Sequence, residues 1–168
     1  KYPPAQGIVL FFGQLLFGQP IFGVWVSIAA CSASFYWMMK HWLSPQLALW
    51  GGLFIAIQLG GSYWAQGYFG GALPAIGGAL VFGSLRPLIT KPSPRYGLLL
   101  GCGLAILANS RPYEGLVLSL PAAVILFWWM GSGRSPNGLA LIRRVVGPIL
   151  VPLLGCAGMM MLYNHAVT

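Results

Sequence analysis

Six long apolar runs, carrying charge only at their ends, dominate this chain and leave little choice of fold. They fall at about 21–40, 46–63, 69–86, 96–110, 115–131 and 145–163, each parted from the next by a stretch bearing Pro, Gly, Ser or isolated basic residues. A helix needs about 20 mostly apolar residues, in a range of roughly 17–25, to cross a bilayer. In hydrocarbon every backbone polar group must be satisfied within the structure, and a continuous apolar run does this as a helix. The expected fold is therefore all-α: a polytopic integral membrane helical bundle of about six transmembrane helices. The run from Pro4 to Gly18 is shorter, about 14 residues, and Gln14 and Gln19-Pro20 interrupt it. It reads as an N-terminal interfacial helix with Pro in its first turn, a short seventh span being the alternative. Residues 1–168 then form one transmembrane domain, with an outer loop and interfacial helix at 1–20 and the bundle at 21–163.

Composition narrows the function classes. Hydrophobic residues make up 58% of the chain and charged residues 6%, against about 25% charged in soluble domains. A surface so poor in charge is not built for water. The net charge of +8 would suggest nucleic acid in a soluble protein, but here the basic residues are scattered between apolar runs. With neither a basic stripe nor a stacking platform, nucleic acid is not an expected partner. Membrane lipid is. Cys31, Cys102 and Cys156 are odd in number and lie in apolar runs, as small buried hydrophobes do. His41 and His165 stand alone on opposite faces of the expected bundle, so neither a metal site nor a cofactor is expected. The chain opens at Lys1-Tyr2-Pro3-Pro4 without an initiator Met and stops at Thr168 directly after a span. Both ends read as interior to a longer protein.

The basic residues set an orientation. If the six runs alternate in direction, Lys40, Arg86, Lys91, Arg95, Arg134, Arg143 and Arg144 share one face, seven of the nine Lys and Arg residues. Such an excess marks cytoplasmic loops, here those of a multi-pass protein of the cell membrane. The extracytoplasmic face keeps Lys1, Arg111 and Glu114 as its formal charges. These three serve no orientation signal. All fall at the outer ends of helices, where they can share one outward-facing cavity.

Helices in lipid associate through small residues that let backbones approach. Gly67, Gly71, Ala75, Ala79 and Gly83 recur every four residues, as do Gly97, Gly101, Ala105 and Asn109 on the next run. The two stripes are expected to pack against each other, with Asn109 at the outer end of the seam. Pro74, Pro121, Pro148 and Pro152 fall inside spans and are expected to kink them, neighbouring helices satisfying the freed carbonyls.

Glu114 is the one acidic residue of the chain and sits in Asn109-Ser110-Arg111-Pro112-Tyr113-Glu114-Gly115. Ionisable groups at the edge of hydrocarbon are expensive, so a retained pair reads as a functional site. A guanidinium binds phosphate bidentately, and a carboxylate can hold sugar hydroxyls or orient the arginine. The other reading is a self-satisfied loop ion pair, worth little in water. Tyr113 is equally a ligand contact or a residue of the interfacial aromatic belt. Lys1 precedes a rigid Pro-Pro step and either meets a phosphate at headgroup depth or snorkels. The stretch from Gly61 to Gly71 offers aromatic faces and Gln66 to a carbohydrate or lipid tail, or simply belongs to the belt. Gly131-Ser132-Gly133-Arg134-Ser135-Pro136-Asn137-Gly138 lacks the Gly-Lys-Ser/Thr ending of a phosphate loop and reads as a linker.

Lys1-Tyr2-Pro3-Pro4 leading into a helix, followed by spans with short basic inner loops, resembles the membrane-embedded GT-C glycosyltransferases. The likeness is to bacterial relatives of the dolichyl-phosphate-mannose protein mannosyltransferases and of the lipid A aminoarabinose transferase. Arg111-Pro112-Tyr113-Glu114 looks like a motif of one bacterial subgroup, and the closing Tyr163-Asn164-His165-Ala166-Val167-Thr168 like a run preceding an outer loop. The resemblance implies transfer of a sugar from a polyprenyl-phosphate-linked donor to an acceptor at the extracytoplasmic face. It places Lys1, with Tyr2 beside it, near the donor phosphate. Arg111, Tyr113 and Glu114 complete the candidate donor site on charge placement. The family's catalytic carboxylate precedes the Pro-Pro step, so the catalytic acid is expected upstream of Lys1, and no Asp occurs in this chain. A multi-span transporter or flippase for an amphiphile is the alternative. It requires ionisable groups at mid-membrane depth, and the runs hold none.

Overall fold

The computed structural model describes residues 5–68, 70–136 and 138–167, and among them all regular structure is helical. Its elements are α1 (Ala5–Phe17), α2 (Pro20–Lys40), α3 (Pro45–Gly60), a 3₁₀ turn (Tyr63–Ala65), α4 (Ala72–Thr90), α5 (Pro94–Ser110) and α6 (Pro112–Gly131). A short α7 (Leu139–Leu141) then runs through a π-helical turn (Ile142–Val146) into α8 (Gly147–Val167). Proline sets four of the starts. Pro20, Pro45, Pro94 and Pro112 each occupy the first turn of a helix, where the missing N–H is not needed and φ is already helical.

The helices occupy the expected places, but their lengths separate them. Four stretches are long and apolar enough to cross a membrane: Pro20–Lys40, Ala72–Thr90, Pro112–Gly131 and Leu139–Tyr163. α3 and α5 have 16 and 17 residues, which at 1.5 Å per residue reach about 24–26 Å, short of a hydrocarbon core of about 30 Å. Their ends are fixed locally. α3 stops at the Gly60-Gly61 pair, and α5 is held between Pro94 and the Arg111-Pro112 step, since a residue before proline avoids the helical region. α1 forms as expected and packs on the first turns of α2. Gly13 lies so close to the backbone of Pro20 and Gly23 that a Cβ there would sit 2.9 Å from the Pro20 carbonyl oxygen.

α4 is the central helix. Half of its most apolar stretch is buried, against 6% for the stretch from Leu139 to Tyr163. One core cluster joins Val81, Leu85 and Leu88 of α4 to Leu100 and Leu107 of α5, Ala122 and Trp129 of α6 and Val145. A second joins Val24, Ile28 and Cys31 of α2 to Ala65 and Ala72. Outward, the helices show Leu, Ile, Val, Phe and Trp, among them Trp50, Phe54, Val117, Phe127, Leu154 and Met161.

The small-residue stripes pack, but not on each other. Along α5, Gly97 abuts Pro148 and the Arg144 and Val145 carbonyls, and Gly101 abuts Ile149 and Pro152. That stripe receives α8. Along α4, Gly83 takes the Trp37 ring and the Met38 backbone of α2, and Gly71 takes the Trp64 ring. The α4–α5 seam instead uses Gly77 and Gly103, where a Cβ on either would lie 2.7–3.0 Å from the other's carbonyl oxygen. Pro74 also differs from expectation. It is the third residue of α4, inside the first turn where no hydrogen bond is lost. Pro87, Pro121 and Pro152 are the prolines inside helices.

Contacts between elements define two ends of the bundle. At one, Arg86 donates to the His41 carbonyl oxygen and lies over the Trp42 ring, while the His41 ring meets Trp37 and Tyr96 edge-on at 5.2 and 6.1 Å. The α8 entry reaches the same end through Gly97. At the other, Gln6 donates to the Tyr68 carbonyl at 3.3 Å, and Trp25 donates to the Ala65 carbonyl at 3.1 Å. The half-buried Trp25 indole uses such a partner because its ring is apolar and its N–H is not.

Candidate functional site

The Arg111–Glu114 pair is held by a one-residue joint. α5 ends at Ser110 and α6 starts at Pro112, so Arg111 alone connects them, in an extended conformation (φ −142°, ψ 81°). Its N–H donates to the Leu107 carbonyl at 3.0 Å, and its carbonyl accepts from the Gly115 N–H at 2.7 Å. One residue thus terminates one helix and initiates the next. Gly115 makes the joint possible: a Cβ there would lie 2.8 Å from that of Leu107. The first turn of α6 can therefore press directly on the last turn of α5.

Glu114 falls in that first turn, where the exposed N–H groups of a helix favour a negative charge. Its two carboxylate oxygens both accept from Nη1 of Arg111, each at 2.8 Å. The side chains are 44% and 70% exposed. Among the described residues Nη1 makes both of these bonds, and neither uses Nη2 or Nε. A guanidinium used on one nitrogen still offers a fork to an anion.

The pair borders a pocket of about 370 Å³. Trp64, Gly71, Pro74 and Ala75 form one wall, from the 3₁₀ turn and the start of α4, and Leu107, Gly115 and Leu118 form the other. Apart from Arg111 and Glu114 the lining is apolar, the usual composition of a small-molecule site, where few polar groups fix orientation. The Trp64 ring lies directly over Gly71, whose Cβ would stand 2.6 Å from the indole. A second pocket at the same end, about 460 Å³, lies among Gly7, Ile8 and Phe11 of α1, Asn109, and Met159, Met160 and Tyr163 of α8. The buried Oδ1 of Asn109 has no hydrogen-bond partner among the described residues.

Of the candidate residues, Arg111 and Glu114 come together in one pocket. Tyr113 does not join them. It is 86% exposed and takes no part in the lining. Lys1 and Tyr2 lie outside the described residues, and so does Thr168 of the closing motif. Asn109 occupies the neighbouring pocket rather than an α4–α5 seam. His165 lies in the last turn of α8. Trp64 and Gly115 are among the lining residues that sequence reasoning left unassigned to the site. The signal for Trp64 was its place in the aromatic outer stretch, whereas Gly115 is one glycine among 24. Among the described residues, no group of three His, Cys, Asp or Glu side chains could hold a metal ion. No family model matches the chain, and neither a curated protein nor a solved structure matches it.

Proposed function

We propose that this chain is part of a polytopic membrane glycosyltransferase and that the Arg111–Glu114 pocket binds its polyprenyl-phosphate-linked sugar donor at the extracytoplasmic face. The observation that carries the reading is an arginine engaged through one nitrogen, beside the chain's sole carboxylate, at the mouth of a pocket with apolar walls. An amphiphile with an anionic neck matches that arrangement. The phosphate meets the free side of the Arg111 guanidinium, and isoprenoid carbons meet Leu107, Leu118 and Pro74. The Trp64 face packs on the sugar. Glu114 orients Arg111 and accepts from sugar hydroxyls.

The chemistry assigned to these residues is donor binding and stabilisation of negative charge that develops on the departing lipid phosphate, commonly the largest electrostatic contribution. The general base is not among them. Glu114 is the only carboxylate of the 168 residues and is already committed to Arg111. The seven basic residues at the opposite end would face the cytoplasm, and the resemblance to the GT-C glycosyltransferases supplies the reaction class.

The test uses the full-length protein in native membranes with a radiolabelled polyprenyl-phosphate sugar. Arg111→Ala removes a charge-assisted contact of about 1.5–3 kcal/mol, which corresponds to a loss of donor binding of roughly 10- to 150-fold. Glu114→Gln should give a smaller loss, with transfer falling in parallel. Unchanged donor binding and transfer in both variants would remove the pocket from the reaction.

A further inference from the structure

We propose a second lipid site at the opposite end of the bundle: the cleft between α6 and α8 holds an acyl chain of an anionic phospholipid, whose phosphate is bound by Arg134, Arg143 and Arg144. α6 and α8 both pack on α5 and make little contact with each other. The gap between them is a cleft of about 380 Å³, floored by Leu100 and Leu104 and walled by Ala123, Phe127, Val146 and Leu150. Its one polar lining residue, Ser119, spends its hydroxyl on the Leu116 carbonyl at 2.9 Å. Nothing inside the cleft asks for a polar ligand, so its occupant there is hydrocarbon.

Three arginines lie close in sequence to the loop end of the cleft, outside its apolar lining. Met130 and Val145 mark where it meets the loop end of α6 and the π-helical turn. Arg143 and Arg144 lie on that turn and Arg134 follows α6, all three exposed. π-helical turns often accompany functional sites. The chain contains one carboxylate, Glu114. It lies in the first turn of α6, at the far end of a 20-residue helix, and is bonded to Arg111. None of the three arginines therefore has a carboxylate of this chain to face, which leaves them open to an anion. A phospholipid headgroup supplies one at the end of a cleft shaped for its chain. Basic sites beside clefts between membrane helices bind anionic headgroups in this way.

The inference rests on membrane placement, and not on the donor pocket, so each can fail alone. The full-length protein, delipidated in mild detergent, is examined by native mass spectrometry with added dioleoyl phosphatidylglycerol or dioleoyl phosphatidylcholine. One phosphatidylglycerol should be retained at least tenfold more readily than phosphatidylcholine. Arg134→Gln/Arg143→Gln/Arg144→Gln should abolish that preference, and Ala123→Phe, which fills the cleft, should lower retention of both lipids. The arginine variant changes exposed side chains only and so keeps the test alive if Ala123→Phe fails to fold. Equal retention of the two lipids, or a preference unchanged in the arginine variant, would overturn the site. Displacement of bound lipid by millimolar inorganic phosphate would overturn it too, because the anion alone would then account for binding.

Discussion

Arg111 does two things that experiment can separate. Its backbone joins α5 to α6 and depends only on being followed by proline, while its side chain reaches the pocket. An ion pair this exposed contributes at most about 1 kcal/mol to stability. Arg111→Gln should therefore shift the thermal midpoint in detergent by less than about 4 °C, while donor binding falls at least tenfold. A large drop in midpoint with donor affinity intact would make the arginine structural. Gly115→Leu should instead force the joint open and lower both the midpoint and donor binding. His41 carries a prediction of its own. Burial lowers its pKa below the ordinary 6.5, and the nearby Lys40 and Arg86 charges add to the effect. The unfolded chain therefore takes up the proton first as pH falls through about 6.5, and stability drops below that pH. Melting followed from pH 7.5 to 5.5 should show the decline, and His41→Gln should flatten it. At this scale the sequence was most informative where a residue type was scarce. One carboxylate in 168 residues could be singled out, whereas Gly115 is picked out only by its distance to Leu107.

At the scale of elements, apolar runs located the helices well because Pro, Gly and charge punctuate them. Pairing was legible only in part. A stripe of small residues says that some backbone comes close, not which one. Gly97 and Gly101 receive α8, Gly83 receives α2, and the α4–α5 seam falls to Gly77 and Gly103. Partner choice depends on how all helices share the available faces, which no single run encodes. The seam is testable. Gly103→Val places a branched side chain against the Gly77 carbonyl and the Val81 and Leu80 side chains, an overpacking that costs about 1–3 kcal/mol. The thermal midpoint should fall by several degrees. Gly158, in the middle of α8, has open space where a Cβ would go, and Gly158→Ala should leave the midpoint unchanged or slightly raised, as it removes glycine's backbone entropy. A comparable loss in both variants would mean that the seam does not carry the packing assigned to it.

The whole molecule separates charge from one end to the other. Arg86 and Tyr96 converge on His41, and the Arg144 carbonyl packs on Gly97, so the three connections that carry the isolated cations come together at one end of the bundle. The opposite end holds a self-paired arginine and carboxylate over a pocket. That asymmetry gives the donor reading and the second lipid site their separate places, and the donor reading depends on the two ends facing different compartments. α3 and α5, at 16 and 17 residues, are where that dependence is weakest. If either failed to cross, every later loop would change sides: Arg111 would face the cytoplasm, and Arg134, Arg143 and Arg144 the outside. Thiol accessibility decides the matter. With Cys31, Cys102 and Cys156 replaced by alanine, Tyr113→Cys and Arg143→Cys are introduced singly, both at exposed positions. In intact cells a membrane-impermeant maleimide should modify position 113 at once and position 143 only after permeabilisation. The inverted pattern, with position 143 modified at once and position 113 only after permeabilisation, would mean that α3 or α5 does not cross. Shared accessibility would mean that α6 does not. Either result would overturn the extracytoplasmic donor site.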